Sequence, residues 1–345
     1  MDPQRRLFWF RRLALAGALL AAAVVVLGAW VRLTDAGLGC PDWPGCYGHL
    51  YPNGGSGQPR SGDHFAKAVH EMVHRYFAIT LGVVIGILLI GAVRARRDPG
   101  QSLMPAALLF LIVCLQGALG ALTVTLLLKP LIVTAHLLGG LTTLALLWWL
   151  SRTPEQRDST RWEAGLRKFA RVALAALIAQ VALGGWTSTN YAALACPELP
   201  TCQHSWWPHM DFRDAFVLWR GIGSDYEGGV LANPARVAIH FTHRLGAVLA
   251  GAILMTLGIL AAASPGNPNL ARAGRLLMLA VVMQIVLGAA TVHWGVPLAL
   301  ATLHNAGAAF LVVSMVTLLR ALWPAAARPA VSVSMVPLHR GHPSR

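Results

Sequence analysis

Apolar residues along the chain gather into eight blocks, at residues 13–33, 68–92, 104–128, 130–150, 169–189, 236–262, 273–293 and 297–320. Each is roughly 20 residues or a little longer, enough to cross a hydrocarbon core of about 30 Å at a helical rise of about 1.5 Å per residue. Backbone amides in lipid have no water to bond, so each block must satisfy its own N–H and C=O groups and is predicted to be an α-helix. The predicted fold is an all-α membrane protein with eight transmembrane helices. The Arg-rich flank before the first block resembles a signal peptide. That block is longer than a typical signal core and lacks a clear small-x-small cleavage site, so it is read as a span.

Composition agrees with the pattern: 56% of the 345 residues are hydrophobic and only 12% are charged. The formal net charge of +14 raises the question of a nucleic-acid partner, and the placement of the charge answers it. Arg5, Arg6, Arg11 and Arg12 precede the first block, and Arg94, Arg96 and Arg97 follow the second. Arg152, Arg157, Arg161, Arg167, Lys168 and Arg171 lie between the fourth and fifth. Arg272 and Arg275 separate the sixth and seventh, and Arg320, Arg328, Arg340 and Arg345 follow the last. All fall on one side of an eight-span threading, which the positive-inside rule makes the cytoplasm. The expectation is a multi-pass protein of a bacterial inner membrane with both termini cytoplasmic. Its environment is lipid, and no nucleic acid is expected.

The chain repeats itself. The first block ends Leu27-Gly28-Ala29-Trp30 and the fifth Leu183-Gly184-Gly185-Trp186; ten residues after each Trp comes a cysteine, Cys40 and Cys196, with a second six positions on, Cys46 and Cys202. His74-Arg75 in the second block matches His243-Arg244 in the sixth, Gln116 matches Gln284, and His136 matches His304, at offsets of 156 to 169. Since each repeat has an even number of spans, the halves run parallel, and two pseudo-symmetric four-helix bundles are predicted. The division falls at 1–160 and 161–345. The loop after the fifth block is the longer of the pair, with an insertion around Trp206 to Gly229 predicted to form an ordered external loop and candidate lid.

His74, His136, His243 and His304 each stand six or seven residues into a span that starts on the outer side. Ionisable groups at such depth are rare and usually functional. Two facing imidazoles in a bundle suit haem iron, whereas zinc asks for three or four ligands drawn together. Gly117, Gly120, Gly139, Gly140, Gly246, Gly288 and Gly307 leave room for a flat macrocycle, or serve ordinary helix packing. Arg75 and Arg244 are candidates to pair with haem propionates, or are interfacial anchors. The halves differ at one place: Glu71, three residues before His74, corresponds to His240. A carboxylate beside a haem suits proton acceptance or electrostatic stabilisation during oxidation; the alternative is a partner for Arg75. Half one is therefore the better candidate for chemistry, and half two for a resident electron-carrying haem. Pairing of Cys40 with Cys46 and of Cys196 with Cys202 would clamp the external loops. A redox-active first pair and metal binding with His49 or His204 are alternatives. Cys114 is read as a packing residue.

These residues resemble the haem A synthase family over nearly the whole chain. The resemblance rests on Val31-Arg32-Leu33-Thr34 leading to Gly37-Leu38-Gly39-Cys40-Pro41-Asp42-Trp43-Pro44, on Glu71-x-x-His74-Arg75, and on His136, His243-Arg244 and His304. It implies a membrane oxidoreductase that converts the C8 methyl of haem O to the formyl group of haem A for terminal oxidase biogenesis. His74 and His136 would flank the substrate haem, Glu71 would take part in catalysis, and His243 and His304 would ligate a haem b cofactor. Cys40 and Cys46 match the family's external pair. Haem O synthase and cytochrome oxidase assembly factors are the implied partners. The rival readings are a dihaem b-type electron-transfer cytochrome, which has no use for Glu71, and a haem transporter or chaperone.

Overall fold

A computed structural model describes residues 2–52, 62–98, 103–153 and 160–323. Arg157, Arg328, Arg340 and Arg345, counted above in the charge asymmetry, lie outside these described residues. The helices are α1 (Pro3–Leu33), α2 (Asp63–Arg94), α3 (Leu103–Thr125), α4 (Pro130–Ser151), α5 (Arg161–Thr189), α6 (Phe212–Ala215), α7 (Asn233–Ala262), α8 (Pro268–His293) and α9 (Leu298–Leu322). All but α6 are long and apolar enough to cross a membrane.

Several helices run past their apolar blocks because good caps lie outside. Proline at the first turn of α1 needs no donor there, so the arginine flank is itself helical. Over 31 residues α1 reaches roughly 46 Å, and its first turns project beyond the hydrocarbon. In α5 the Thr160 side chain accepts from the Glu163 backbone while the Glu163 carboxylate accepts from the Thr160 N–H, a reciprocal cap that starts the helix eight residues before its apolar block. Asn267 caps α8 and donates to Glu163 at 2.7 Å, tying two helix starts together.

Packing repeats between the halves. In the first, α1 packs on α2 and α4, and α3 on α2 and α4; in the second, α5 packs on α7 and α9, and α8 on α7 and α9. Each set of four closes into a ring around its own apolar core. Ile85, Leu88, Leu109, Leu144 and Leu147 fill the first core, and Leu257, Leu270, Leu277, Met315 and Leu318 the second. Apolar side chains also face outward, as with Ile79, Val83, Ile87 and Ile90 along α2; in water that row would be an aggregation surface, in lipid it is solvent contact.

The halves meet through α1, α4, α5 and α9, and corresponding residues touch each other. Arg32 donates to the Ser188 carbonyl and Tyr191 donates to Asp35 at 2.6 Å, both pairs being 156 positions apart. Burial raises the Tyr191 phenol above its ordinary pKa, which keeps it a donor. At the opposite end Arg320 donates to the Arg152 carbonyl at 3.3 Å, 168 positions apart. Counterpart contacts at both ends are consistent with two pseudo-symmetric halves about an axis along the helices.

Candidate functional site

Each of the four deep histidines lies against a glycine of the preceding spanning helix. A Cβ built on Gly28 would stand 3.0 Å from Cε1 of His74; on Gly184, 3.1 Å from His243; on Gly288, 3.0 Å from His304; and on Gly120, 3.5 Å from His136. At Gly28, Gly184 and Gly288 the bare backbone lets the Cε1 edge of the imidazole approach more closely than a side chain would allow, while at Gly120 a Cβ would make only ordinary contact. His74 and His136 face each other with ring centroids 6.5 Å apart and planes at 78°. His243 and His304 interact electrostatically in the second half.

That spacing tests whether the pair fits a bridging iron. Two imidazoles bound to one metal at about 2.0 Å from nitrogen have ring centroids roughly 6 Å apart, close to the separation found. Nδ1 of His74, His136 and His304 is buried and makes no close hydrogen bond, and the backbone carbonyls of Val24, Gln116 and Gln284 lie toward these three rings, the kind of backbone partner that orients a ligand imidazole. The residues present therefore fit a flat bis-imidazole cofactor. Among the described residues no group of three or more His, Cys, Asp or Glu side chains is placed for a metal ion.

Glutamines form a second layer that the sequence reading did not assign. Gln180 Nε2 lies 3.0 Å from His243 Nδ1 and donates to the His243 carbonyl at 3.0 Å, and Gln284 Nε2 lies 3.4 Å from His304 Nε2. Each amide sits in a notch left by a glycine three residues after a histidine: Gln180 at Gly246, Gln284 at Gly307, and Gln116 at Gly139. The expectation that these glycines clear space for a macrocycle is thereby revised: most of them seat imidazoles or glutamines, while Gly117 has open space before it. The fourth position breaks the rule. Val24 corresponds to Gln180 and Phe77 to Gly246, so the His74 ring has no amide to hold it.

One turn outward, the Glu71–His240 difference serves the same local task in both halves. Glu71 Oε2 accepts from the Cys40 N–H at 2.8 Å, and His240 Nδ1 accepts from the Cys196 N–H at 3.3 Å. Glu71 also pairs with Arg75 at 2.5 Å, and both are buried, so the ion-pair alternative for Glu71 is realised in this structure. Arg75 donates to the carbonyls of Asp42, Pro44 and Gly45, and Arg244 to those of Cys196 and Thr201. Both guanidiniums thus anchor the cysteine loops, and Arg244 Nε remains buried without a partner. The loops are closed by disulfides Cys40–Cys46 and Cys196–Cys202. His70 stacks edge-on against Trp30 at 6.1 Å. Cys114 is exposed on α3, on the outer side of its helix rather than packed within the bundle.

The loop after the second disulfide crosses to the first half. Helix α6 docks by a bond from Trp186 Nε1 to the Ala215 carbonyl at 2.9 Å. Lys129, only 2% exposed, donates to the Gly221 carbonyl and sits 3.6 Å from the Trp219 ring centre. The Tyr226 backbone N–H donates to the Leu127 carbonyl at 3.2 Å, and Glu227 pairs with Lys67 at 3.2 Å.

Fold and site together define a multi-pass helical membrane protein with two histidine-pair sites under disulfide-closed loops. More narrowly, residues 11–316 match the COX15-CtaA model, described as cytochrome oxidase assembly protein, and the chain belongs to that family. It is 39% identical over 329 residues to a heme A synthase of Shewanella oneidensis, covering 92% of this chain and 97% of the relative. Heme A synthases of a Caulobacter species (27%, covering 87% and 92%) and of Halalkalibacterium halodurans (26%, covering 73% and 75%) are also similar.

Proposed function

We propose that this protein is a haem A synthase of a bacterial inner membrane, with both termini cytoplasmic, oxidising the C8 methyl of haem O to a formyl group. The carrying observation is the facing His74–His136 pair at 6.5 Å, duplicated in sequence at His243 and His304 but differing in what surrounds it. Residues 1–160 form the half that receives substrate, and residues 161–345 the half that holds a resident haem b. His74 and His136 bind the substrate iron from its two faces. His243 and His304 hold haem b, which when bound supplies a one-electron carrier beside the reacting half.

The second layer supports this division. Gln180 and Gln284 stand against the second-half histidines, and outer groups held against a ring restrict its orientation. With valine in that place, His74 lacks such a brace, which suits a haem that must arrive and leave. Oxidation of a methyl to an aldehyde takes up one oxygen atom and, where water supplies it, gives up protons to a base and electrons to an acceptor, and Glu71 is the buried carboxylate one turn from His74. It holds the Cys40–Cys46 loop through Oε2 and pairs with Arg75, giving a fixed ion-pair dipole one turn from His74. Arg244 Nε, and the corresponding edge of Arg75, are the donors for propionates. Haem O synthase and oxidase assembly factors are the expected partners, as source and destination of an apolar pigment.

The test is the mass of haem extracted from cells making haem O, with and without this chain. Hydroxylated and formyl haem should appear only with it. A haem pool that remains haem O in competent cells sinks the reading, and a purified protein that holds two unexchanged b haems favours the electron-transfer cytochrome instead.

A further inference from the structure

At the end of the molecule where α1 starts and α4 and α9 finish, far from the histidines, these three helices converge. A cavity of about 440 Å³ opens there, lined by Gln4, Leu7, Phe8, Arg11, Arg12, Leu15, Ser151 and Thr153. Arg11 and Arg12 stand in the middle of this lining, with Leu7 and Phe8 one turn toward the helix start and Leu15 one turn deeper. Arg11 donates to Thr153 Oγ1 at 2.9 Å, and Arg12 stacks 5.1 Å over the Phe8 ring. Arg152 and Arg320 stand beside it: Arg320 donates to the Arg152 carbonyl, interacts electrostatically with Arg11, and has its Nε buried without a partner. The two lie over Trp148 and Trp149 at 4.3 and 4.5 Å, aromatic residues of the kind that mark a headgroup boundary.

No carboxylate among the described residues pairs with these four arginines. Neighbouring Arg6 shows the contrast, since it is matched by Asp98 at 2.8 Å. A topology signal needs only that arginines lie on one side; it does not require three helices to gather them around a cavity with no carboxylate partner among the described residues. Four cations drawn together repel one another unless an anion joins them, and guanidinium groups bind phosphate by paired hydrogen bonds. Basic pockets between spanning helices on this side are fitted to anionic lipid headgroups.

We propose that this cavity binds one anionic phospholipid, its phosphate among Arg11, Arg12 and Arg320 and an acyl chain running inward past Leu15. The apolar wall is what selects a lipid over free phosphate. The site is independent of the haem reading and stands or falls apart from it.

Full-length protein released from membranes into the gas phase should carry one phosphatidylglycerol or cardiolipin molecule. The double variant Arg11→Gln, Arg12→Gln should carry at least tenfold less, and Arg11→Lys, Arg12→Lys should keep most of it. Arg272→Gln, Arg275→Gln removes the same charge elsewhere and should change nothing. Equal lipid retention in the first variant, or equal loss in the last, overturns the proposal. A second arm uses protein in phosphatidylcholine nanodiscs titrated with phosphatidylglycerol or with inorganic phosphate. Saturable binding of the lipid that phosphate does not displace supports a lipid site; binding of phosphate alone overturns it.

Discussion

At Glu71 one residue does two jobs, and a substitution must separate them. Its carboxylate neutralises a buried arginine and fixes the Cys40 N–H. Alanine would leave Arg75 buried and unpaired, a loss of about 3–5 kcal/mol, so failure of that variant would say little about catalysis. Glu71→Gln keeps an acceptor for Cys40 and removes the charge. It should retain bound haem and lose most conversion, read by absorbance of the purified protein beside the mass of extracted haem; full conversion would remove Glu71 from the chemistry. Gln180 offers a complementary test. Gln180→Leu should weaken haem retention in the second half by about tenfold and alter the low-spin ferric spectrum, while Val24→Leu should leave that spectrum alone. An unchanged spectrum in Gln180→Leu would show that the amide does not orient His243. Spacing singled out the four histidines and Glu71 as candidates, and the structure brings His74 to face His136. Their glycine seats and the glutamine brace were not legible, because they depend on how one helix is rotated against the next, and hydropathy in lipid does not reveal rotation.

At the scale of elements, the spans were legible because the bilayer imposes both their length and their apolarity, and the eight predicted blocks fall within or overlap the eight long helices. The helix ends were not, since caps such as Thr160–Glu163 lie in polar sequence outside the apolar block. The least legible element was the loop between α5 and α7. Its composition indicated order but gave no hint of Lys129, a lone cation at a helix start that holds Trp219 and the Gly221 carbonyl. Lys129→Met keeps the stem and removes the charge, with a loss of about 2 kcal/mol for a desolvated cation–aromatic contact. Limited proteolysis should then cut between Trp206 and Gly229 several-fold faster than in the parent, with the spanning helices intact. Equal rates would mean that Trp186 and α6 alone hold the loop.

For the whole molecule, the repeat in sequence and the repeat in packing agree. Each half closes its own ring and core, so the seam should be able to form between separate chains. Residues 1–153 and 160–345 produced together as two polypeptides should assemble and copurify, and the pair should show haem absorbance like the intact chain. Failure of the halves to associate would show that the covalent link, and not the seam, holds the rings side by side. Asp35–Tyr191 is the contact to disrupt in that experiment: Tyr191→Phe removes the bond at 2.6 Å at little change of shape and should loosen the two-chain form more than the intact one.

That seam has an evolutionary consequence. Arg32 faces Ser188, and Asp35 faces Tyr191, as they would in a homodimer of a four-helix chain, where each residue meets its own copy. In such a dimer every mutation strikes both pockets at once, and neither can specialise without spoiling the other. Once both copies lie in one gene, position 71 can keep a glutamate while position 240 takes a histidine, and valine can stand at 24 while glutamine stands at 180. The pigment that is altered and the pigment that stays are then free to answer to separate selection.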